Sequence, residues 1–156
     1  MDSYQENIDT IRHAVAAGLR VCAGGIIGMG ESLDQRIELA ETLRSLQVTS
    51  VPLNFLNPIA GTPLGTQSPM QPLEILQTIA VFRYMLPKVE LRIAGGRHFL
   101  RDLQAMIFFA GASGIMIGDY LTTKGRQVAD DLQMLEDLKV RVRGDTQQRR
   151  AVADTA

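Results

Sequence analysis

Three polar side chains stand inside apolar, strand-like runs of this sequence, and together they could build a ligand-binding centre. Cys22, the sole cysteine, lies in Leu19-Arg20-Val21-Cys22-Ala23-Gly24-Gly25-Ile26-Ile27-Gly28-Met29-Gly30-Glu31. Asn54 lies in Ser50-Val51-Pro52-Leu53-Asn54-Phe55-Leu56, and Arg92 in Glu90-Leu91-Arg92-Ile93-Ala94-Gly95-Gly96-Arg97. If these strands adjoin, a thiol, an amide and a guanidinium converge on one place. The thiol reads either as a small buried hydrophobe or as a metal-binding thiolate at the top of a strand. The amide must find hydrogen-bond partners, whether structural or in a ligand. The guanidinium demands acceptors or a bound anion, and Glu31, Glu90 and Asp119 are the ion-pair candidates.

Other motifs carry less. Gly24, Gly25, Gly28 and Gly30 do not form a dinucleotide fingerprint, because Leu33 stands where the third glycine belongs. No Gly-Lys-Ser/Thr follows, so the loop is no phosphate-binding P-loop. These glycines instead allow close approach of a ligand to the backbone. His13 and His98 have no second ligand at metal spacing, and no Ser-His-Asp arrangement stands out. The methionines fall at helical spacing and read as core.

The elements that would position these residues alternate. Ile8, Ile11 and Val15 form a helical stripe that Gly18 stops. Leu19–Cys22 reads as a buried strand before glycines. Ser32 with Gln35 three residues later makes a capping-box pattern, and Ile37, Ala40, Leu43 and Leu46 give the next helix one face. The run 51–56 is a second strand, with Pro52 fitting best at its start. A long loop, 57–71, follows, and loops of this length are often functional. Pro72 suits a first helical position, and the helix through Leu76, Ile79, Val81, Phe82 and Met85 stops at Pro87. Leu91–Ala94 is a third strand, and Phe99 to Ala110 a helix ended by Gly111. Ile115–Gly118 is a fourth strand, and Leu132, Leu135 and Leu138 line a last helix.

The order αβαβαβαβα without a hairpin signal implies right-handed crossovers and a parallel sheet. Four βα units are too few to close a (β/α)₈ barrel, which takes about 250 residues. The expectation is an α/β fold, either a small open sheet or half a barrel, over residues 1–140, with a polar, disordered tail over 141–156. The helix ahead of the first strand looks like the end of a preceding βα unit.

The chain has 156 residues and 46% hydrophobic content, which indicates a globular domain rather than disorder. A net charge of −1 argues against nucleic acid or an anionic membrane as main partner. No apolar run reaches the ~20 residues that span a bilayer. The acidic, polar start Met1-Asp2-Ser3-Tyr4-Gln5-Glu6 is unlike a signal peptide. With one cysteine and no internal disulfide, a cytoplasmic location is the simplest expectation.

From Ile8 to Leu138 the sequence resembles the C-terminal half of the biotin synthase family of radical S-adenosylmethionine (SAM) enzymes. The runs quoted around Cys22, Asn54 and Arg92 carry the resemblance. So do Gly61-Thr62-Pro63-Leu64, Thr78-Ile79-Ala80-Val81-Phe82-Arg83, Gln104-Ala105-Met106 and Leu121-Thr122-Thr123. It implies the last four units of a (β/α)₈ barrel. It implies that Cys22 is one of three cysteine ligands to a [2Fe-2S] cluster and Arg92 its unusual fourth ligand. Asn54 would line the dethiobiotin and SAM pocket, with Ile26 and Asn57 near the adenosyl group, although the family often has an apolar residue at the Asn57 position. No residue here is expected to be catalytic in its own right.

The implied reaction converts dethiobiotin to biotin by radical sulfur insertion, starting from reductive cleavage of SAM at a [4Fe-4S] cluster. The Cys-x-x-x-Cys-x-x-Cys loop for that cluster is absent, since the chain has one cysteine. The other two [2Fe-2S] cysteines would also lie upstream. The chain is therefore expected to be inactive without an N-terminal half. The alternatives are a non-catalytic remnant or a split-enzyme subunit that binds a partner, the partner being that half or a second copy of the chain.

Overall fold

Ser3 starts the first helix, α1 (Tyr4–Ala16), by accepting from the Glu6 N–H while the Glu6 carboxylate accepts from the Ser3 N–H. The helix ends in a Schellman pattern, with Leu19 N–H on Ala14 C=O at 3.1 Å and Gly18 N–H on Val15 C=O at 2.9 Å. Gly18 takes φ +78° there, the left-handed conformation that favours glycine. These features belong to a computed structural model that describes residues 3–120 and 124–140. The expected tail, 141–156, and the Leu121-Thr122-Thr123 motif lie outside the described residues.

After α1 come β1 (Gly25–Ile27), α2 (Leu33–Ser45), β2 (Ser50–Phe55), α3 (Pro72–Met85) and β3 (Glu90–Ile93). A 3₁₀ segment (Arg97–Leu103), α4 (Met106–Phe109), β4 (Gly114–Ile115) and α5 (Val128–Asp137) complete the described chain. The sheet order is β1-β2-β3-β4, parallel throughout. When every crossover has the same hand, a sequential order sends the connecting helices to one face. The side chains record this. Val51, Leu53 and Phe55 of β2 and Leu91 and Ile93 of β3 are buried against the helices. Between them Pro52 and Asn54 are half-buried, and Glu90 and Arg92 are exposed on the opposite face. Ile75, Ile79 and Phe82 of α3 are fully buried and fill the space between sheet, α2 and the 3₁₀ segment.

Arg83 locks the end of α3 to the start of the next unit. Its guanidinium donates to the carbonyls of Leu86, Pro87, Val89 and Gly111 and to the Ser113 hydroxyl. Orphan carbonyls past a helix end are thereby satisfied.

The structure corrects four sequence expectations. The first strand is not Leu19–Cys22. Cys22 makes one isolated parallel bridge to Ser50, and the paired strand starts three residues later, at Gly25. Ser50 and Leu56 turn their N–H groups toward this neighbour, and Pro52, in the same phase, has none to give. The ladder is therefore broken opposite Gly24, where a Cβ would sit 1.9 Å from the Pro52 oxygen. The helix expected from Phe99 to Ala110 is two short pieces, broken at Arg101 with φ +50° and ψ −123°. The fourth strand is Gly114–Ile115 rather than Ile115–Gly118. In α5 it is Asp131 that is buried, while Leu132 is 52% exposed.

Candidate functional site

Cys22 and Arg92 meet on the more exposed face of the sheet, opposite the buried Val51, Leu53, Leu91 and Ile93. Arg92 Nη2 donates to Cys22 Sγ at 2.9 Å across 70 residues of sequence. Register explains how. Cys22 bridges Ser50, while Arg92 is level with Pro52, two residues further along β2. A long arginine reaches diagonally across β2 to the thiol. Two residues earlier, Arg20 Nη2 and Glu90 Oε1 make a similar exposed contact at 3.4 Å. Among the described residues Arg92 forms no ion pair, and the acids that could have neutralised it are engaged elsewhere. Glu31 pairs with Arg36, Glu90 with Arg20, and Asp119 accepts the Gly125 N–H.

Asn54 is level with Ile26 on the same face, and Ile26 is 52% exposed. The Asn54 Oδ1 accepts the Gly95 N–H at 2.9 Å, which orients the amide and leaves its NH₂ group to donate outward. Gly95 and Gly96 permit this closeness. A Cβ on Gly96 would lie 2.1 Å from the Phe55 carbonyl oxygen. Asn57 stands apart, half-buried at the head of the loop after β2. No hydrogen bond among the described residues joins it to Cys22, Asn54 or Arg92. A cavity of about 570 Å³ borders Arg92, bounded by Glu90, Gly114, Ile115, Leu132 and Leu135.

Two ion networks escaped the sequence reading. In the first, the Glu31 carboxylate accepts from the Gly28 and Met29 N–H groups at 2.8 and 2.7 Å and from Arg36 Nε at 2.7 Å. Arg36 continues to Glu74 at 2.8 Å and Thr78 at 3.2 Å. Burial pushes the Glu31 carboxyl up, but the hydrogen bonds it accepts from the Gly28–Glu31 backbone and Arg36 outweigh this and hold it below the usual carboxylate value. This anchors the turn after β1, directly beyond Ile26. In the second, Asp131, fully buried, takes a forked pair from Arg97 and a 2.9 Å bond from Arg126. Nothing local marks Asp131, which stands beside the exposed Asp130 in the first turn of α5.

No group of three or more His, Cys, Asp or Glu gathers among the described residues. A thiol sulfur and a guanidinium nitrogen side by side on an open face can supply part of a ligand set but do not complete one.

Four parallel βα units in sequential order, with buried apolar side chains on one sheet face and Cys22, Asn54 and Arg92 on the other, form the C-terminal half of a (β/α)₈-type barrel. Methylornithine synthase shares the fold, with a TM-score of 0.72 and 21% identity; the match covers 97% of this chain and 48% of that one. Residues 52–141 match the family described as the Biotin and Thiamin Synthesis associated domain, and the chain belongs to that family. It is 61% identical over 140 residues to the biotin synthase of Geotalea daltonii and 57% identical over 141 residues to that of Geobacter sulfurreducens. These alignments take in 89% and 90% of this chain but 43% of each relative, so the chain spans less than half the length of the relatives it matches. The similarity is to a C-terminal half of biotin synthase. No helix among the described residues is long and apolar enough to cross a membrane.

Proposed function

We propose that this chain is the C-terminal half of a biotin synthase and acts, in the cytoplasm, when its open sheet face is covered by the preceding half of such an enzyme. The observation that carries this is the contact between Cys22 and Arg92 on that open face. A thiolate is the ordinary protein ligand of an iron–sulfur cluster. A guanidinium is a poor one, since it must give up a proton that it otherwise releases only in strongly basic solution. A cationic cluster next to the thiolate is a setting that favours such a ligand. Cys22 and Arg92 would hold two corners of a [2Fe-2S] cluster, and the other half would bring the remaining ligands and those of a [4Fe-4S] cluster. When bound, the first cluster supplies sulfur for insertion into dethiobiotin and the second an electron for SAM cleavage. In a shared pocket, Ile26 would offer an apolar wall and Asn54 an NH₂ donor to a substrate or SAM group, with Asn57, at the head of the loop after β2, toward the adenosyl group. The barrel completed by the other half would keep this chemistry away from water.

The test is dethiobiotin conversion by the purified chain with SAM and a reductant, with and without a supplied N-terminal half from a related synthase. Conversion is expected only with both halves present. Turnover by the chain alone would refute the division of ligands, and stable capture of an unrelated protein with no conversion in either case would favour a binding role.

A further inference from the structure

Asn54 acquires its orientation from a turn that the far end of the chain holds in place. The turn Ala94–Arg97 leaves β3 with Gly96 in the left-handed region, φ +78°. Its Gly95 N–H donates to Asn54 Oδ1, and its Gly95 C=O accepts the Phe55 N–H at 2.8 Å. Two groups from beyond β4 grip the same turn. The Tyr120 hydroxyl donates to the Ala94 carbonyl at 2.8 Å. The Asp131 carboxylate, 0% exposed, takes the Arg97 guanidinium, 2% exposed, in a two-point fork. Such a fork sets angle as well as distance, which one hydrogen bond or a lysine would not. Gln104 Nε2 closes the arrangement on the Arg97 carbonyl at 2.8 Å.

We propose that Asp131 is a positioning residue. Through Arg97 it fixes the Gly95–Arg97 turn, and through the Gly95 N–H it sets the direction of the Asn54 amide in the pocket proposed above. The inference rests on that reading for the role of Asn54, but the coupling itself is a property of this chain.

Hydrogen–deuterium exchange of the full chain, read by mass spectrometry, tests the coupling without any activity assay. Asp131→Asn keeps the shape and removes the charge. It is expected to speed exchange in peptides covering 94–100 by at least about tenfold, with peptides from α2 and α3 unmoved. Arg97→Lys, which keeps the charge and loses the fork, should loosen the same peptides. Asp130→Asn, exposed and one residue away, should change nothing. Faster exchange throughout the chain, or a change confined to α5, would overturn the proposal. In the reconstituted two-half enzyme, Asp131→Asn is expected to raise the KM for dethiobiotin in the presence of Asn54 and to have no further effect in an Asn54→Ala background. An equal KM effect in both backgrounds would also overturn it. An Asn54→Ala variant with unchanged kinetics would instead remove the role of Asn54 while leaving the exchange result standing.

Discussion

Arg92 Nη2 lies 2.9 Å from Cys22 Sγ, although two strand connections separate the residues. The contact crosses β2 at Pro52, whose ring presents no longer side chain to block it.

In the reconstituted enzyme, Cys22→Ala is expected to abolish the [2Fe-2S] absorbance and conversion together, because a thiolate is a strong ligand that alanine cannot replace. Arg92→Met should still assemble the cluster, with a shifted visible spectrum, because a small exogenous ligand can occupy the place of a weak one. Ultraviolet–visible spectra and iron counting check both. A full cluster in Cys22→Ala would remove Cys22 from the ligand set.

Glu31 should make stability depend on acid pH. A carboxyl held below its ordinary value on folding contributes stability that is complete above that value, 4.5, and is lost as pH falls through the lowered one. Glu31→Gln is therefore expected to cost roughly 1–3 kcal/mol near neutrality. The gap between wild type and variant should close as pH drops below about 4. Thermal melts of both proteins across that range read it out; a gap that stays constant into acid would show that the charge on Glu31 is not what holds the turn.

Two glycines with the same φ of +78° give a controlled comparison. Gly18→Ala meets nothing within 4 Å and should cost about 1–2 kcal/mol for the left-handed backbone alone. Gly96→Ala adds a Cβ against the Phe55 carbonyl and should cost roughly 2–5 kcal/mol. Denaturant midpoints decide between them. Equal losses would mean that the β3 turn relaxes freely and does not seat Asn54.

The open sheet face and the edges at β1 and β4 should drive association. Ile26 and Met116 are 52% and 50% exposed, and unpaired strand edges recruit other strands. Size-exclusion chromatography of the chain alone is expected to show dimers or larger species, replaced by a one-to-one complex when the N-terminal half is added. A monodisperse monomer with one sharp melting transition would show that the four βα units are self-sufficient.

Much of this was legible in the sequence, for identifiable reasons. The Ser32–Gln35 capping box, the Pro72 start of α3, the Gly18 stop and the alternation of apolar runs are signals within one element, and each appears where expected. Alternation without hairpins implied a parallel sheet, and the three misplaced polar residues were visible because each interrupts an apolar run. Strand limits were less legible. Whether residues near Cys22 join a ladder depends on what their neighbour offers, and Pro52 offers no N–H. The sequence by itself therefore determined the order of elements, the parallel sheet and the identity of the polar residues worth watching. Only the tertiary structure decided that the Cys22 thiol meets Arg92, that Asn54 is steered by Gly95, and that Asp131 rather than Leu132 is buried in α5. Those facts depend on register between strands and on helix rotation against the sheet. Both are set by packing summed over the whole core, which no local pattern encodes.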